Sequence, residues 1–318
     1  MRKRMWAAAA GTALGIGLLG SPPASAQGTP VAGNGATYFL NDSFTGTANR
    51  VFTYGEVTDA AYFGDWDGNG TDTPLVRRGN VFHVRNDNSS GAAQLSFAYG
   101  DPGDVVLAGD WDGNGSDTLA VRRGNTYFVK NSGTTGVADL VFSYGDAGDV
   151  VLVGDWDGRG GDTLVVRRAN RYFVKNDLAT GVASSDFLFG DGGDLVLTGR
   201  WSAGQAGDSL GVRRGNTYYL RNSLTTGVAD TVFAYGEVSD TAFTGDWDGD
   251  GRDTLGVRRG GSVPGLAPAP ADPGDSVNCD DFSTQAEAQA WFTRYYPAYG
   301  DVARLDQDGN LLACEALP

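Results

Sequence analysis

Histidine and cysteine are nearly absent: the 318 residues hold one His and two Cys. That shortage excludes a Cys/His/Asp nucleophile set and a zinc site, because both need several such side chains brought together. The two cysteines, Cys279 and Cys314, fall in the last 40 residues and read as one disulfide of an exported protein. Helical periodicity is missing before residue 280, which argues against a mixed α/β architecture. Basic residues are few against acidic ones, 24 to 39, for a net charge of −15. A surface of that sign repels phosphates, so nucleic acid is excluded as a partner, and its carboxylates suit neutralisation by bound cations. Beyond the N-terminus no apolar run approaches the ~20 residues that a membrane span needs.

The one apolar run, Trp6 to Leu19, lies between Arg2-Lys3-Arg4 and Ala24-Ser25-Ala26. Those three parts predict a secretory signal peptide over residues 1–26, hence a secreted, extracellular protein that works in solution or at the cell surface. The segment carries three basic and no acidic residues, so its removal takes the net charge to −18.

Repetition is what the chain has in abundance. Trp66, Trp111, Trp156 and Trp201 recur every 45 residues, and Trp247 follows after 46. Each unit reads as four short strands: one such as 126–131, one ending at Phe142-Ser143-Tyr144-Gly145, one ending at Gly154-Asp155, and one such as 163–168. Glycines, 49 in all, mark the turns. Along 118–123, alternation puts Leu119, Val121 and Arg123 on one face and Thr118, Ala120 and Arg122 on the other. Five complete units, the first taken from Ala36 to Arg78 and the last ending at Arg259, predict an all-β, five-bladed β-propeller over residues 27–259. A β-solenoid is the alternative, but a 45-residue unit is long for one coil. A Pro/Ala/Gly linker over 260–277 and a small α-containing module over 278–318 complete the chain. In that module Thr284 and Glu287 form a capping box, and Ala288, Trp291, Phe292 and Tyr295 share a helix face.

An acidic loop precedes the last strand of each unit. Asp65, Asp67 and Asn69 stand at loop positions one, three and five, with Gly70 at six. Oxygen donors at that spacing, with glycine at the sharp bend, are what calcium takes from a short loop. Asp110, Asp112 and Asn114 repeat the pattern, as do Asp246, Asp248 and Asp250. The third copy keeps Asp155 and Asp157 but has Arg159 at position five, which weakens it; the fourth, Arg200-Trp201-Ser202, has lost the acids and keeps only Asp208 near its end. Asp72, Asp117, Asp162 and Asp253 stand at position eight of the other four.

With these loops the units resemble the FG-GAP and VCBS-type repeats, in which Asp-x-Asp-Gly-Asp/Asn-Gly before a strand binds Ca2+ on a propeller blade. The resemblance implies Ca2+ as cofactor, held by the carboxylates and amides just named. It departs in one place: the family closes its loop with Asp at position nine, whereas here Asp stands at eight. The C-terminal Cys279-Asp280-Asp281-Phe282 and Ala313-Cys314-Glu315 ends resemble those of the Excalibur domain, an extracellular calcium-binding region. That resemblance implies further Ca2+ ligands at Asp306, Asp308, Asn310 and Glu315, with Leu311 standing where a glycine is expected.

Trp201 persists where the acids are lost, so the repeat tryptophans are expected to pack between blades; stacking on sugar rings is the alternative. Of each arginine pair, the member on the Leu119/Val121 face is expected to bond a neighbouring blade and the other to be solvated. His83 occupies the strand position held elsewhere by Phe39, Phe128, Phe173 and Tyr219. The functional expectation is a non-catalytic, calcium-binding protein of extracellular adhesion or recognition, with a carbohydrate or other cell-surface ligand and calcium as a brace. A glycan hydrolase using the propeller tunnel and a purely structural spacer are the other readings.

Overall fold

A computed structural model describes residues 28–260, 273–285, 287–292, 303–306 and 313–317. The signal peptide expected over 1–26, most of the linker, and Asp308, Asn310 and Leu311 lie outside the described residues.

Among the described residues twenty strands follow one another. β1 (Thr37–Asn41) and β2 (Arg50–Thr53) come first. Blade one is β3 (Ala60–Gly64), β4 (Thr73–Arg78), β5 (Val81–Val84) and β6 (Leu95–Ala98). Blade two is β7 (Val105–Gly109), β8 (Thr118–Arg123), β9 (Thr126–Lys130) and β10 (Leu140–Ser143). Blade three is β11 (Val150–Gly154), β12 (Thr163–Arg168), β13 (Arg171–Lys175) and β14 (Ser185–Leu188). Blade four is β15 (Leu195–Gly199), β16 (Ser209–Arg214), β17 (Thr217–Leu220) and β18 (Thr231–Ala234). β19 (Thr241–Gly245) and β20 (Thr254–Arg259) then pair with the first two strands, giving blade five in the order β19-β20-β1-β2.

The five-bladed propeller is therefore as expected, but the repeat and the blade are out of phase. A unit cut at Ala36 places its first two strands in one sheet and its last two in the next. The seam is closed by β20 against β1, antiparallel, with Thr37 opposite Arg259 and Leu40 opposite Gly256. Closure by strand pairing holds the two ends of the repeat region together and leaves no half sheet exposed.

The apolar core lies between blades. One cluster joins Leu152, Trp156, Tyr172 and Phe187 of blade three to Val196, Leu210 and Val212 of blade four. Another joins Tyr38, Phe52 and Trp247 of blade five to Ala61, Phe63 and Val76 of blade one. Full burial of a Val, Leu or Phe side chain stabilises by roughly 1.5–3 kcal/mol, so each interface is held by several such terms. Trp111, Trp156, Trp201 and Trp247 are buried in these layers and Trp66 is partly buried in one. Their ring faces are covered by protein, which leaves little surface for a sugar. Polar links reinforce each interface: the Tyr99 hydroxyl donates to the Phe128 carbonyl at 2.9 Å and that of Tyr144 to the Phe173 carbonyl at 2.8 Å. His83 sits in the corresponding strand register, opposite Val76, and its carbonyl accepts from Tyr54 at 3.0 Å.

The roles of the paired arginines are the reverse of those expected. Arg122, on the Thr118/Ala120 face, reaches the loop leading into blade three and donates to the carbonyls of Asp149 at 2.8 Å and Asp146 at 3.0 Å. Arg123 stays within its own blade's approach and pairs with Asp104 and Asp101. The physical reason is the loop's position: its carbonyls face the side of the strand from which Arg122 projects.

In the C-terminal module Cys279 and Cys314 form the disulfide. Residue 285 and residues 287–292 are helical. Glu287 N–H donates to Thr284 Oγ1 at 3.2 Å, while the Glu287 carboxylate accepts from Ser283 N–H at 2.9 Å, one residue earlier than a capping box requires. Ala288 and Phe292 pack with Ala303, Leu305, Ala313 and Cys314. Among the described residues no helix is long and apolar enough to cross a membrane.

Candidate metal loops and an axial carboxylate ring

Each acidic loop joins the innermost strand of a blade to the next, so all five loops gather at one end of the propeller axis. The inner strands β3, β7, β11, β15 and β19 neighbour one another in a closed ring. In blade one the Asp65 carboxylate organises the loop: Oδ1 accepts N–H from Gly68 at 2.8 Å and Asn69 at 3.0 Å, and Oδ2 accepts from Gly70 at 2.7 Å. Gly68 and Gly70 have φ of +74° and +86°, a conformation that only glycine adopts at little cost. Asn69 Oδ1 then caps Thr71 N–H at 2.8 Å. Asp110 and Asn114 do the same in blade two, and Asp246 and Asp250 in blade five. Burial pushes the carboxyls of Asp65, Asp110 and Asp246 above the usual range, and these backbone donors offset it in part.

Asp67, Asp112, Asp248 and Asp250 project into solvent from the loops. In blade five the structure brings the position-one, -three and -five acids together: Asp246, Asp248 and Asp250 place carboxylate oxygens within 4.8 Å of one another. In blade three Arg159 lies 3.5 Å from Asp157 and so neutralises its own loop's position-three carboxylate. In blade four Arg200 Nη2 reaches Asp155 of blade three at 3.7 Å.

The position-eight aspartates go elsewhere. Asp72, Asp117, Asp162 and Asp253 turn toward the axis, and each side chain binds the adjacent blade: Asp117 Oδ2 accepts Asp65 N–H at 2.8 Å, and Asp72 Oδ2 accepts Asp246 N–H at 2.9 Å. Asp208, which the sequence reading left outside the candidate set, completes this ring by accepting Asp155 N–H at 2.8 Å. A one-residue insertion moves it to position nine, but Asp208-Ser209-Leu210 echoes Asp117-Thr118-Leu119, and that was the available signal. With Asp65, Asp110, Asp155, Asp246 and Arg200 these five line an axial depression of about 200 Å³. Burial raises Asp117 to about 7 and Asp208 to about 6, and it drives Asp72, Asp162 and Asp253 well above the usual range, with neighbouring ring carboxylates adding to the effect.

The channel beneath the ring holds part of the chain itself. Val31 N–H donates to the Ala61 carbonyl of β3 at 2.7 Å, and the Gly28 carbonyl accepts Ala108 N–H of β7 at 2.7 Å. In the C-terminal module Asp306 and Glu315 are described, Glu315 exposed; their expected co-ligands Asp308 and Asn310 are not.

No family model matches the chain, and no curated protein matches its sequence. Among solved structures it is similar to a chain in the "Crystal structure of BBS1N in complex with ARL6DN, soaked with mercury", with 10% identity and a TM-score of 0.34, covering 74% of this chain and 94% of that one.

Proposed function

We propose that this is an exported, non-catalytic binding protein whose propeller is braced by calcium in its acidic loops, working in extracellular adhesion or recognition of a carbohydrate or other cell-surface ligand. The proximity of Asp246, Asp248 and Asp250, with oxygens within 4.8 Å of one another, carries the reading. Three carboxylates so placed repel one another unless a cation lies among them, and hard oxygen donors on a tight loop favour calcium. Blades one and two have the same loop frame with Asn in place of the third acid. Arg159 and Arg200 supply fixed positive charge where the third and fourth copies depart from the pattern. A substrate threading the tunnel would meet residues 28–31 already seated there, which favours a binding role over an axial active site.

Equilibrium dialysis with radioactive calcium tests the metal. About three ions per chain are expected, with Kd of roughly 10⁻⁴ to 10⁻³ M. Asp248→Asn should remove one of them, and no uptake at millimolar calcium would overturn the reading. A glycan array run in calcium and in chelator tests the ligand class: binding to no sugar in either condition would remove carbohydrate from it.

A further inference from the structure

Asparagine precedes glycine at three places, Asn34-Gly35, Asn69-Gly70 and Asn114-Gly115. The backbone nitrogen after an asparagine can attack its side-chain amide, and glycine has no Cβ to obstruct the approach. The fold gives the three pairs different surroundings. Gly35 is buried, its N–H donates to the Val57 carbonyl at 2.9 Å, and a Cβ built on it would lie 2.2 Å from the Arg259 carbonyl oxygen. A peptide carbonyl is too weak a base to take up the proton, so this nitrogen is held inert. Gly70 and Gly115 are exposed, with open space where a Cβ would stand. Their N–H groups donate to carboxylates instead, Gly70 to Asp65 Oδ2 at 2.7 Å and Gly115 to Asp110 Oδ2 at 2.8 Å. Each asparagine is also turned back over the glycine that follows it. Asn69 Oδ1 accepts the Thr71 N–H at 2.8 Å, and Asn114 Oδ1 accepts the Ser116 N–H at 2.8 Å. The ring that each bond closes contains both the amide carbon Cγ and the glycine nitrogen. The same bond draws charge from Cγ and steadies the oxyanion that forms when Cγ is attacked.

We propose that Asn69 and Asn114 are self-modification sites, converted to aspartate and isoaspartate with Asp65 and Asp110 as the respective general bases. Gly70 N bonds to Asn69 Cγ as its proton passes to Asp65 Oδ2. The Cγ–Nδ2 bond then breaks, and the proton leaves with the amide nitrogen as ammonia. A five-membered succinimide remains, and water opens it at one of two bonds. Breaking N–Cγ leaves aspartate; breaking the bond from nitrogen to the Asn69 backbone carbonyl carbon leaves isoaspartate. In blade two Gly115, Asn114 and Asp110 take the same parts. The aspartate product fits the loop frame, since Asp250 stands at that place in blade five and its Oδ1 accepts the Arg252 N–H at 2.9 Å. Each such conversion adds a negative charge and gives its loop the third acid that blade five already has. The reaction needs no metal, so it goes beyond the calcium brace and does not depend on it.

The test incubates residues 27–318, folded and in chelator, beside the same chain carrying Asp65→Asn. Peptide mass spectrometry follows Asn34, Asn69 and Asn114, and released ammonia gives a second count. In the unaltered chain Asn69 and Asn114 should convert while Asn34 persists. Asp65→Asn keeps the shape of the acceptor but cannot take the proton, so Asn69 should convert several-fold more slowly. Asn114 in the same molecules should keep its rate, which reports that the propeller is folded. In urea the substitution should leave the Asn69 rate unchanged, because the contact with Asp65 is lost there. Asp110→Asn should give the mirror result, slowing Asn114 alone. Conversion of Asn69 and Asn114 no faster than that of Asn34, or of Asn69 at an equal or higher rate in folded Asp65→Asn, would overturn the proposal.

Discussion

Asp162 and Asp110, in neighbouring blades, are joined twice. Asp162 Oδ2 accepts the Asp110 backbone N–H at 2.9 Å, and the Asp162 N–H donates to the Asp110 carbonyl at 2.7 Å. The same double link joins Asp117 to Asp65, Asp208 to Asp155, Asp253 to Arg200 and Asp72 to Asp246. Because the partner in each case is backbone, this link does not depend on which side chain stands at loop position one. Arg200 therefore stands where four blades have aspartate without opening the ring.

Stability should fall as pH rises through the neutral range when no cation occupies the ring. The folded state binds protons at Asp208, up to about 6, and at Asp117, up to about 7, that the unfolded chain has released above its ordinary value of 3.8. More protons bound in the folded state means stability decreases with pH in that window. In chelator, melting should be higher at about pH 5 than at about pH 8. Under acid conditions the slope reverses. The guanidiniums of Arg123 and Arg168 hold Asp104 and Asp149 below the usual carboxylate range, and that contribution is lost as those groups protonate. Thermal melts across the range check both limbs, and a flat profile between the two higher pH values would count against the first.

Adjacent arginines should differ in cost. Arg167 is buried and donates to the carbonyls of Asp194 at 2.9 Å, Asp191 at 3.1 Å, Gly192 at 3.2 Å and Ala169 at 2.7 Å. Lysine cannot match that fork, so Arg167→Lys should cost about 2–3 kcal/mol by urea denaturation. Arg168 pairs with Asp149 and Asp146 from a half-exposed position, and Arg168→Lys should cost clearly less, because solvent screens that pair.

Arg200→Asp should destabilise the protein in chelator by about 1–2 kcal/mol, after discounting for the partial exposure of Arg200, because it adds an acid to the ring and removes the contact with Asp155. Adding Ser202→Asp and then calcium should recover that loss and raise the calcium stoichiometry. Calcium already bound in blade four of the unaltered protein would contradict the role given to Arg200.

Cys314→Ser should affect the C-terminal module alone. The bridge spans a sequence separation of 35, worth very roughly 3–4 kcal/mol on the chain-entropy view. The propeller's described residues contain no cysteine, and its cohesion comes from the blade interfaces. Calorimetry should show the main transition unmoved and the module's transition lowered or lost.

Much of this architecture was legible in the order of residues. The 45-residue spacing of tryptophans and the alternation of apolar side chains specify five four-stranded blades, and the placement of the cysteines indicated the bridge. The phase of the blades was not legible, because a circular repeat can be cut anywhere and only the pairing of β1 with β20 chooses the cut. Alternation showed that Arg122 and Arg123 face opposite ways, yet not which face meets the next loop. In the candidate site, the acids at loop positions one, three and five could be read directly, although their use by a metal is a proposal. The axial ring was hidden because its members are 45 or 46 residues apart and meet only when the propeller closes. The course of residues 28–31 in the channel carries no periodic signal at all.

The calcium brace is tested most directly by the melting temperature of residues 27–318 in chelator and in rising calcium. A ligand that binds only the folded state stabilises it by RT ln(1 + [L]/Kd). The melting temperature should therefore rise by several degrees, level off as millimolar calcium saturates the loops, and fail to rise when Asp67, Asp112 and Asp248 are all changed to Asn. A melting temperature that is the same in calcium and in chelator would contradict it.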